Sequence, residues 1–458
     1  MKIIILGAGQ VGASLAETLS HENNDISVVD NDNKKLELLR DRLDINTIFG
    51  LASHPDILLQ AGGPDAEMLI AVTNSDEVNM VACQIAYTLF HTPTRIARVR
   101  SSKYLAKEKE IFNDKALPIN VLISPEQLVT SYIQRLIEFP GALQVLDFAE
   151  GKVQLVAVKA SHGGLIVGQE IRTIRKHIPN VDTRVAAIYR RGSSIIPKFN
   201  TIIEEDDEVF FIVDRKNTRK VMAELRHRDK PNKRIMIAGG GNIGRRLALA
   251  LEPNYRVKLI DRNRRTTREL SEELHKTIVL LGDVSDEELL LEENIDSVDV
   301  FCALTNDDEA NIMSALLAKR LGANKVMALI NRTAYVDLVE SGDIDIAISP
   351  QQSTVGSLLA HIRHGDVVMV HSLRKGAAEA IELIAHGDPA TSKVVGRRIE
   401  EINLPKGTNI GAIIRDGEVI IAHHDTFIQT DDHLILFLIN KNDIKLVEKL
   451  FQAEFTLI

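Results

Sequence analysis

A chain of 458 residues, at roughly 100–200 residues per domain, holds about three domains, which excludes a single small core or a disulfide-stapled miniature. Hydrophobic residues make up 45%, charged residues 26% and aromatics 4%, with no Trp, which is the profile of an ordinary globular protein and not of a disordered or fibrous one. Lys plus Arg number 55 against 64 Asp plus Glu, a net charge of −9 that argues against nucleic acid as a partner; the longest apolar runs, such as Leu434 to Ile439, fall far short of the ~18 residues that cross a bilayer.

The chain opens Lys2-Ile3-Ile4-Ile5-Leu6 and turns at once into glycine. That pattern predicts a first buried strand and not a signal peptide, which needs a basic head, a long apolar stretch and a small-residue cleavage site. Gly7-Ala8-Gly9-Gln10-Val11-Gly12 then leads into a helix carrying Val11, Leu15, Ala16 and Leu19 on one face. Strand, glycine turn and helix in that order are the context in which G-x-G-x-x-G signals a dinucleotide cradle. Gly7 permits the tight turn, Gly9 lets a pyrophosphate approach the backbone, and Gly12 allows helix and sheet to pack closely. The unpaired amides of the helix start face the anion. Asp30 closes the second strand, where its carboxylate accepts ribose hydroxyls and repels a 2′-phosphate, which favours NAD(H) over NADP(H).

Further strands are expected at Ile26–Val29, Thr47–Phe49, Met68–Val72, Arg95–Val99 and Val121–Ile123, separated by helical stretches. Six strands with crossover helices predict a doubly wound, Rossmann-like parallel sheet. After the fourth strand, Thr73-Asn74-Ser75-Asp76-Glu77 carries two compatible readings. Ser75 is a good N-cap with Asp76 and Glu77 in the first turn, and Thr73 and Asn74 lie at a strand end where a ribose or nicotinamide rests. Arg98 and Arg100 alternate along the fifth strand and are expected on one face, either to neutralise a phosphate or to pair with a neighbouring carboxylate. Cys83 and Cys302 have no spacing for zinc, a redox pair or a disulfide framework, which suits a reducing, cytoplasmic setting.

Gln144–Phe148 and Val153–Val158 flank Glu150-Gly151-Lys152, and short β segments follow around Arg191-Gly192, so each large domain is expected to carry a small α+β lobe. A polar segment from Arg226 to Lys233 then precedes a new strand, and the chain repeats itself. Gly239-Gly240-Gly241-Asn242-Ile243-Gly244 returns the first glycine turn at an offset of 232 residues, as does Thr305-Asn306-Asp307-Asp308-Glu309-Ala310-Asn311 for the segment from Thr73 to Asn79. Later segments shift slightly: Ile348-Ser349-Pro350 repeats Ile123-Ser124-Pro125 at 225. Repeats this long are tandem domains, not solenoid units. The expected organisation is a Rossmann-like domain at 1–138, a lobe at 139–225, a linker at 226–232, a second Rossmann-like domain at 233–362 and a second lobe at 363–458.

The second half keeps its glycines and an acid, Asp261, but alignment of Tyr104 with Tyr335 puts Leu329 opposite Arg98 and Asn331 opposite Arg100. Arg245, Arg246 and Arg262 are candidate substitutes, and occupancy of this second pocket stays open. A dehydrogenase would need an acid or base against a substrate, and none of the six tyrosines stands four residues before a lysine. His361-x-x-His364 and His423-His424 lack Cys or carboxylate companions at metal-ligand spacing. The expectation is a protein without catalytic or metal residues; a soluble NAD-dependent oxidoreductase is the alternative.

The opening from Met1 to Gly12, Thr73-Asn74-Ser75-Asp76-Glu77, Arg95-Ile96-Ala97-Arg98 and Asn306-Asp307-Asp308-Glu309-Ala310-Asn311, together with the duplication, resemble end to end the family of Trk-system potassium-uptake regulators built from tandem RCK (KTN-type) domains. The resemblance implies a cytoplasmic regulatory subunit that assembles into a ring, usually a tetramer, on the inner face of the membrane beneath a potassium-conducting Trk subunit. It implies binding of NAD(H) and often ATP or ADP, and no ion conduction by the chain itself. By resemblance, Gly7, Ala8, Gly9, Gln10, Val11, Asp30, Thr73, Asn74 and Arg98 form the first nucleotide site, and Gly239, Gly240, Gly241, Asn242 and Ile243 begin the second. Many members have an acid after the third-strand glycine, as in Gly282-Asp283; the first half has Gly50-Leu51.

Overall fold

The computed structural model describes residues 1–21, 24–226, 230–340, 342–362, 367–373, 378–440 and 443–452. His364 and residues 227–229 of the expected linker lie outside them. The chain forms two compact units, one comprising Met1–Leu128 with Pro350–Leu358, the other Val129–Ser349 with Leu359–Ile458.

In the first unit the isoleucine-rich opening forms β1 (Lys2–Leu6), buried from Ile3 onward. It is followed by α1 (Gln10–Ser20), β2 (Asp25–Asp30), α2 (Asn33–Arg40), β3 (Asn46–Phe49), α3 (Pro55–Gln60), β4 (Met68–Ala71), α4 (Asp76–Phe90), β5 (Thr94–Arg98), the short helices α5 (Ser102–Leu105) and α6 (Glu108–Ile111), β6 (Val121–Ile123) and the start of α7 (Pro125–Glu138). The strands pair in the order β3-β2-β1-β4-β5-β6, the doubly wound arrangement, with β1 and β4 adjacent where the order reverses. Near-continuous apolar strands follow from helices covering both faces of a parallel sheet. α1 buries Gly12, Leu15, Ala16 and Leu19, one helical stripe laid on the sheet. Pro350–Leu358 belongs to this unit, and Gln351 Nε2 donates to Ser14 Oγ on α1.

The second unit holds the two small lobes and the second Rossmann-like sheet. The first lobe has β7 (Ala142–Phe148), β8 (Val153–Lys159), β9 (Thr183–Arg190), β10 (Ser193–Ile195) and β11 (Glu208–Asp214), in the order β10-β9-β11-β8-β7. The second sheet has β12 (Arg234–Ala238), β13 (Arg256–Asp261), β14 (Ile278–Leu281), β15 (Val300–Ala303), β16 (Lys325–Leu329) and β17 (Ile346–Ile348), ordered β14-β13-β12-β15-β16-β17 exactly as its duplicate requires. β18 (Val367–Leu373), β19 (Ala378–Ile384), β20 (Thr408–Arg415), β21 (Glu418–Ile421) and β22 (His433–Leu438) repeat the lobe topology.

The two lobe sheets share a core in which Phe148, Phe210 and Ile212 of the first meet Ile435, Phe437 and Ala412 of the second. Phe210 and Phe437 lie 5.9 Å apart between ring centroids. Gly411 is required at this contact, since a Cβ there would stand 1.9 Å from Ile212 Cδ1. Arg184 Nη1 donates to Ala422 O at 2.6 Å and Asn409 Nδ2 to Ala186 O at 2.8 Å, so strand-end polar groups as well as apolar area join the lobes.

Candidate functional site

The switch point of the first sheet is built by the glycine turn. Gly7 takes φ +106°, a left-handed conformation that side chains resist, and its amide donates to Val29 O at 2.8 Å. Gly12 is fixed by space: a Cβ there would lie 1.9 Å from Gly7 O. Gly9 has neither constraint. Its backbone is extended, and a Cβ would meet nothing within 4 Å, so this position opens onto the cleft. The first intrahelical bond runs from Ala13 N to Gly9 O at 2.8 Å, which leaves the amides of Gln10, Val11 and Gly12 at the helix start. Gly9 caps α1 without any side-chain acceptor. The positive end of the helix is thereby left for an anion.

Asp30 stands at the end of β2 beside this turn, and it first braces the protein: Ala8 N donates to Oδ2 at 2.5 Å and Asp32 N to Oδ1 at 2.8 Å. Each carboxylate oxygen keeps a second lone pair for a ribose hydroxyl. Thr73 follows β4, its hydroxyl donating to Asn79 Oδ1 at 2.7 Å. Asn79 is fully buried, accepts from Thr73 N at 3.0 Å and donates to Arg98 O at 2.9 Å. One amide thus fixes the ends of two neighbouring strands, a role the sequence reading missed although Asn311 repeats it. Ser75 caps α4 by accepting from Val78 N, as expected, and Asn74 is exposed at the rim.

Arg98 is the last residue of β5, with Nη2 3.7 Å from Glu126 Oε1 on α7. Its Nε is buried without a hydrogen-bond acceptor among the described residues. Burial pulls the guanidinium below its ordinary value, with Glu126 opposing. Arg100 departs from the expectation that it shares a strand face with Arg98: β5 ends first. Arg100 instead donates to Asn74 O and lies 3.6 Å from Asp76, whose Oδ2 accepts from the Arg100 and Ser101 amides at 3.0 and 2.9 Å. Glu126 was read only as the neighbour of a repeated Ser-Pro pair, and its place in the first turn of α7 opposite Arg98 is new.

The second site reproduces the frame. Gly239 has φ +107°, a Cβ on Gly244 would lie 1.9 Å from Gly239 O, and Gly241 faces open space. Gly240 and Asn263 amides donate to Asp261 at 2.7 Å each. Asn242, Ile243 and Gly244 open the helix Asn242–Leu251, whose first bond is Arg245 N to Gly241 O at 2.9 Å. Asn311 bonds Thr305 and, at 2.9 Å, Leu329 O, which supports the pairing of Leu329 with Arg98. Arg245 is turned to Glu273. Asp283, held low by the Ser285 hydroxyl and amide, sits where the first half has Leu51.

Two groups of the chain are chemically quiet. The Cys83 and Cys302 thiols are free and buried, and burial pushes both up to about 12. His423 is engaged between Asp182 at 3.2 Å and Arg175 at 2.9 Å. Among the described residues no helix is long and apolar enough to cross a membrane.

Comparison with known proteins places this architecture in a class. The TrkA-N domain model matches residues 3–125 and 235–350, and the TrkA-C domain model matches 155–226 and 388–452, so the chain is a tandem pair of these two domains. It is 61% identical over 452 residues to the Trk system potassium uptake protein TrkA of Vibrio alginolyticus, covering 99% of each chain. It is also 61% identical over 456 residues to that of Halomonas elongata, covering 100% of each. The chain belongs to the TrkA family of Trk system potassium uptake proteins. Among solved structures, the GsuK RCK domain shares its fold at 20% identity and TM-score 0.61, over 98% of this chain and 94% of that one. The GsuK channel bound to NAD matches at the same identity and TM-score over 98% and 78%.

Proposed function

We infer that the chain is the regulatory subunit of a potassium uptake system, and that its glycine-turn clefts hold adenine nucleotides, NAD(H) and ATP or ADP, as signals and not as reagents. The names of its full-length relatives support the potassium role. The observation that carries the nucleotide role is the duplicated cradle: a helix start with no side-chain cap, an open glycine beside it and a braced carboxylate 18 residues after Gly12, built twice in one chain. In the first cleft the buried Arg98 Nε without an acceptor fits an anionic ligand.

In this reading Gly9, Gln10 and Val11 offer amides to a pyrophosphate, Asp30 accepts from a ribose, Thr73 and Asn74 line the far end, and Gly241, Asn242, Ile243 and Asp261 do the same in the second cleft. A bound nucleotide supplies charge. Arg98 either keeps Glu126 or turns toward an anion in the cleft, and because Glu126 belongs to the first turn of α7, that choice alters how the crossover helix is anchored. A ligand moves such an equilibrium only as far as its affinities for the two states differ. The partner is a potassium-conducting Trk subunit of the membrane, served by a homo-oligomeric ring of this protein, most simply a tetramer on the cytoplasmic face.

The test is potassium uptake in cells that depend on this chain for Trk activity. Replacing wild type by Gly9→Asp is expected to leave the protein folded and membrane-associated while uptake stops following cellular nucleotide levels. Unaltered nucleotide response would refute the reading. Accumulation of NADH when the purified protein is given NAD+ with alcohols, hydroxy acids or amino acids would return it to the oxidoreductases.

A further inference from the structure

Both lobes build the same ribbon beside their sheets. In the first, Ile171 N and Arg172 N donate to Thr201 O at 2.9 Å and Phe199 O at 3.1 Å, and Lys198 N donates to Thr201 Oγ1 at 2.8 Å. In the second, Ile399 N and Glu400 N donate to Thr426 O and His424 O at 3.0 Å, and His423 N to Thr426 Oγ1 at 3.0 Å. Glu170 bridges to Ile202 as Arg398 does to Phe427, and Arg190 clasps Asp207 as Arg415 clasps Asp432, each at 2.8 Å. The backbone therefore asks the same of both ribbons, and any difference in what they display is not required by the fold.

They display opposite surfaces. In the first lobe Leu165, Ile196, Phe199 and Ile202 are 60%, 50%, 70% and 49% exposed, an unusual density of bare apolar side chains along one ribbon. Their counterparts are Lys393, the buried Ile421, His424, and Phe427, which lies under the Arg398 guanidinium at 5.1 Å. The charges change with them: Arg172, Arg191 and Lys198 correspond to Glu400, Asp416 and His423. The acids near the first ribbon are already matched, Glu170 by Arg172, Glu204 by Arg190 at 2.5 Å and Asp206 by Lys159 at 2.9 Å. Lys198 and Arg191 have no ion-pair partner among the described residues. A molecule of net charge −9 thus carries, on one lobe only, apolar side chains rimmed by spare cations.

We propose that this ribbon contacts an anionic phospholipid surface, with Phe199 entering the interfacial region and Lys198 and Arg191 held among the headgroup phosphates. Apolar side chains beside cations are the combination that partitions into an anionic interface, because the cations are attracted to the surface potential while the ring leaves water. The complementary charge selects lipid: an acidic protein electrostatically similar to this chain would be repelled by most of its surface, and only a locally basic face lets it approach an anionic bilayer.

The experiment is co-sedimentation of the full chain, without nucleotide, with phosphatidylcholine vesicles and with vesicles containing phosphatidylglycerol. Binding is expected only to the anionic vesicles and is expected to weaken as salt rises. Phe199→Ser is expected to reduce partitioning roughly ten-fold and Lys198→Ser roughly five-fold, with unchanged unfolding midpoints; His424→Ser on the second lobe is expected to have no effect. Equal behaviour on the two vesicle types, or binding that survives Phe199→Ser with Lys198→Ser, would overturn the proposal. So would variants that leave vesicle binding intact and change the sedimentation of the protein alone, which would assign the ribbon to a second copy. Neither failure bears on the nucleotide clefts.

Discussion

The two glycine turns of this chain agree to a degree in φ and to the same 1.9 Å collision at Gly12 and Gly244, yet the walls around them have diverged. Arg98 becomes Leu329, Leu51 becomes Asp283, and Glu126 corresponds to Gln351, which belongs with the first unit and bonds Ser14 there. Arg98 and Glu126 vanish together, as expected of a partly buried ion pair whose surviving member would be costly. What both halves keep is what a cradle needs in order to fold; what they do not share is what a ligand would read. The first cleft presents a buried cation, the second an extra carboxylate.

The largest effect should come from the shared frame. Gly12→Ala drives a methyl into Gly7 O, a backbone atom that cannot rotate away, and should cost about 3 kcal/mol or more, read as a lowered midpoint for the first unit; Gly244→Ala should do the same to the second. Unequal losses would break the equivalence of the turns. Next, Asn79→Asp and Asn311→Asp each remove the amide donor that holds the neighbouring strand and bury a carboxylate, with losses of about 2 kcal/mol expected in both halves. Denaturant unfolding of the two variants should give matched changes.

The walls predict an asymmetry instead. Arg98→Leu with Glu126→Gln gives the first cleft the second's side chains, and should weaken ATP by about ten-fold, through loss of one charged hydrogen bond, while NAD+ changes less. Equal losses for both ligands would remove Arg98 from phosphate recognition.

The smallest effect compares the lobes. His371 stands where the first lobe has Leu146; it packs edge-on against Phe148, accepts or donates at Asp147 O, 3.1 Å away, and burial holds it down to about 4. Its folded pKa is below the unfolded 6.5, so its contribution to stability is complete above that value and is lost as pH falls through the folded pKa. Proton-linked destabilisation between 6.5 and about 4 should therefore shrink in His371→Leu, measured by unfolding across that range.

Much of this frame was legible in the sequence because it is dictated by periodicity and by glycine. β1 and β6 begin and end where the apolar runs do, and the parallel order of both sheets follows from strands alternating with helices. The fifth strand was placed one residue late, which made Arg100 a partner of Arg98; the error is physical, since Val99 still donates to Ile123 O beyond the last paired residue. Asp30 was found by position, but not its bonds to Ala8 and Asp32, which depend on where the turn folds back. Asn79 was hidden because an amide early in a helix reads as surface until the strand beside it is known. That Pro350–Leu358 packs with the first unit was also invisible: an apolar helix face says that it will be covered, not by what.

The central claim is that two amide-lined clefts bind adenine nucleotides. Gly9 and Gly241 are the positions at which to ask, because each takes a side chain without a clash and would place an aspartate against the pyrophosphate. Calorimetric titration of the full chain with NADH, and separately with ATP, should show saturable binding that Gly9→Asp reduces to the share of the second cleft and that Gly9→Asp with Gly241→Asp abolishes, at unchanged unfolding midpoints. Wild-type protein that takes up neither nucleotide, or a doubly substituted protein that still binds them, would contradict it.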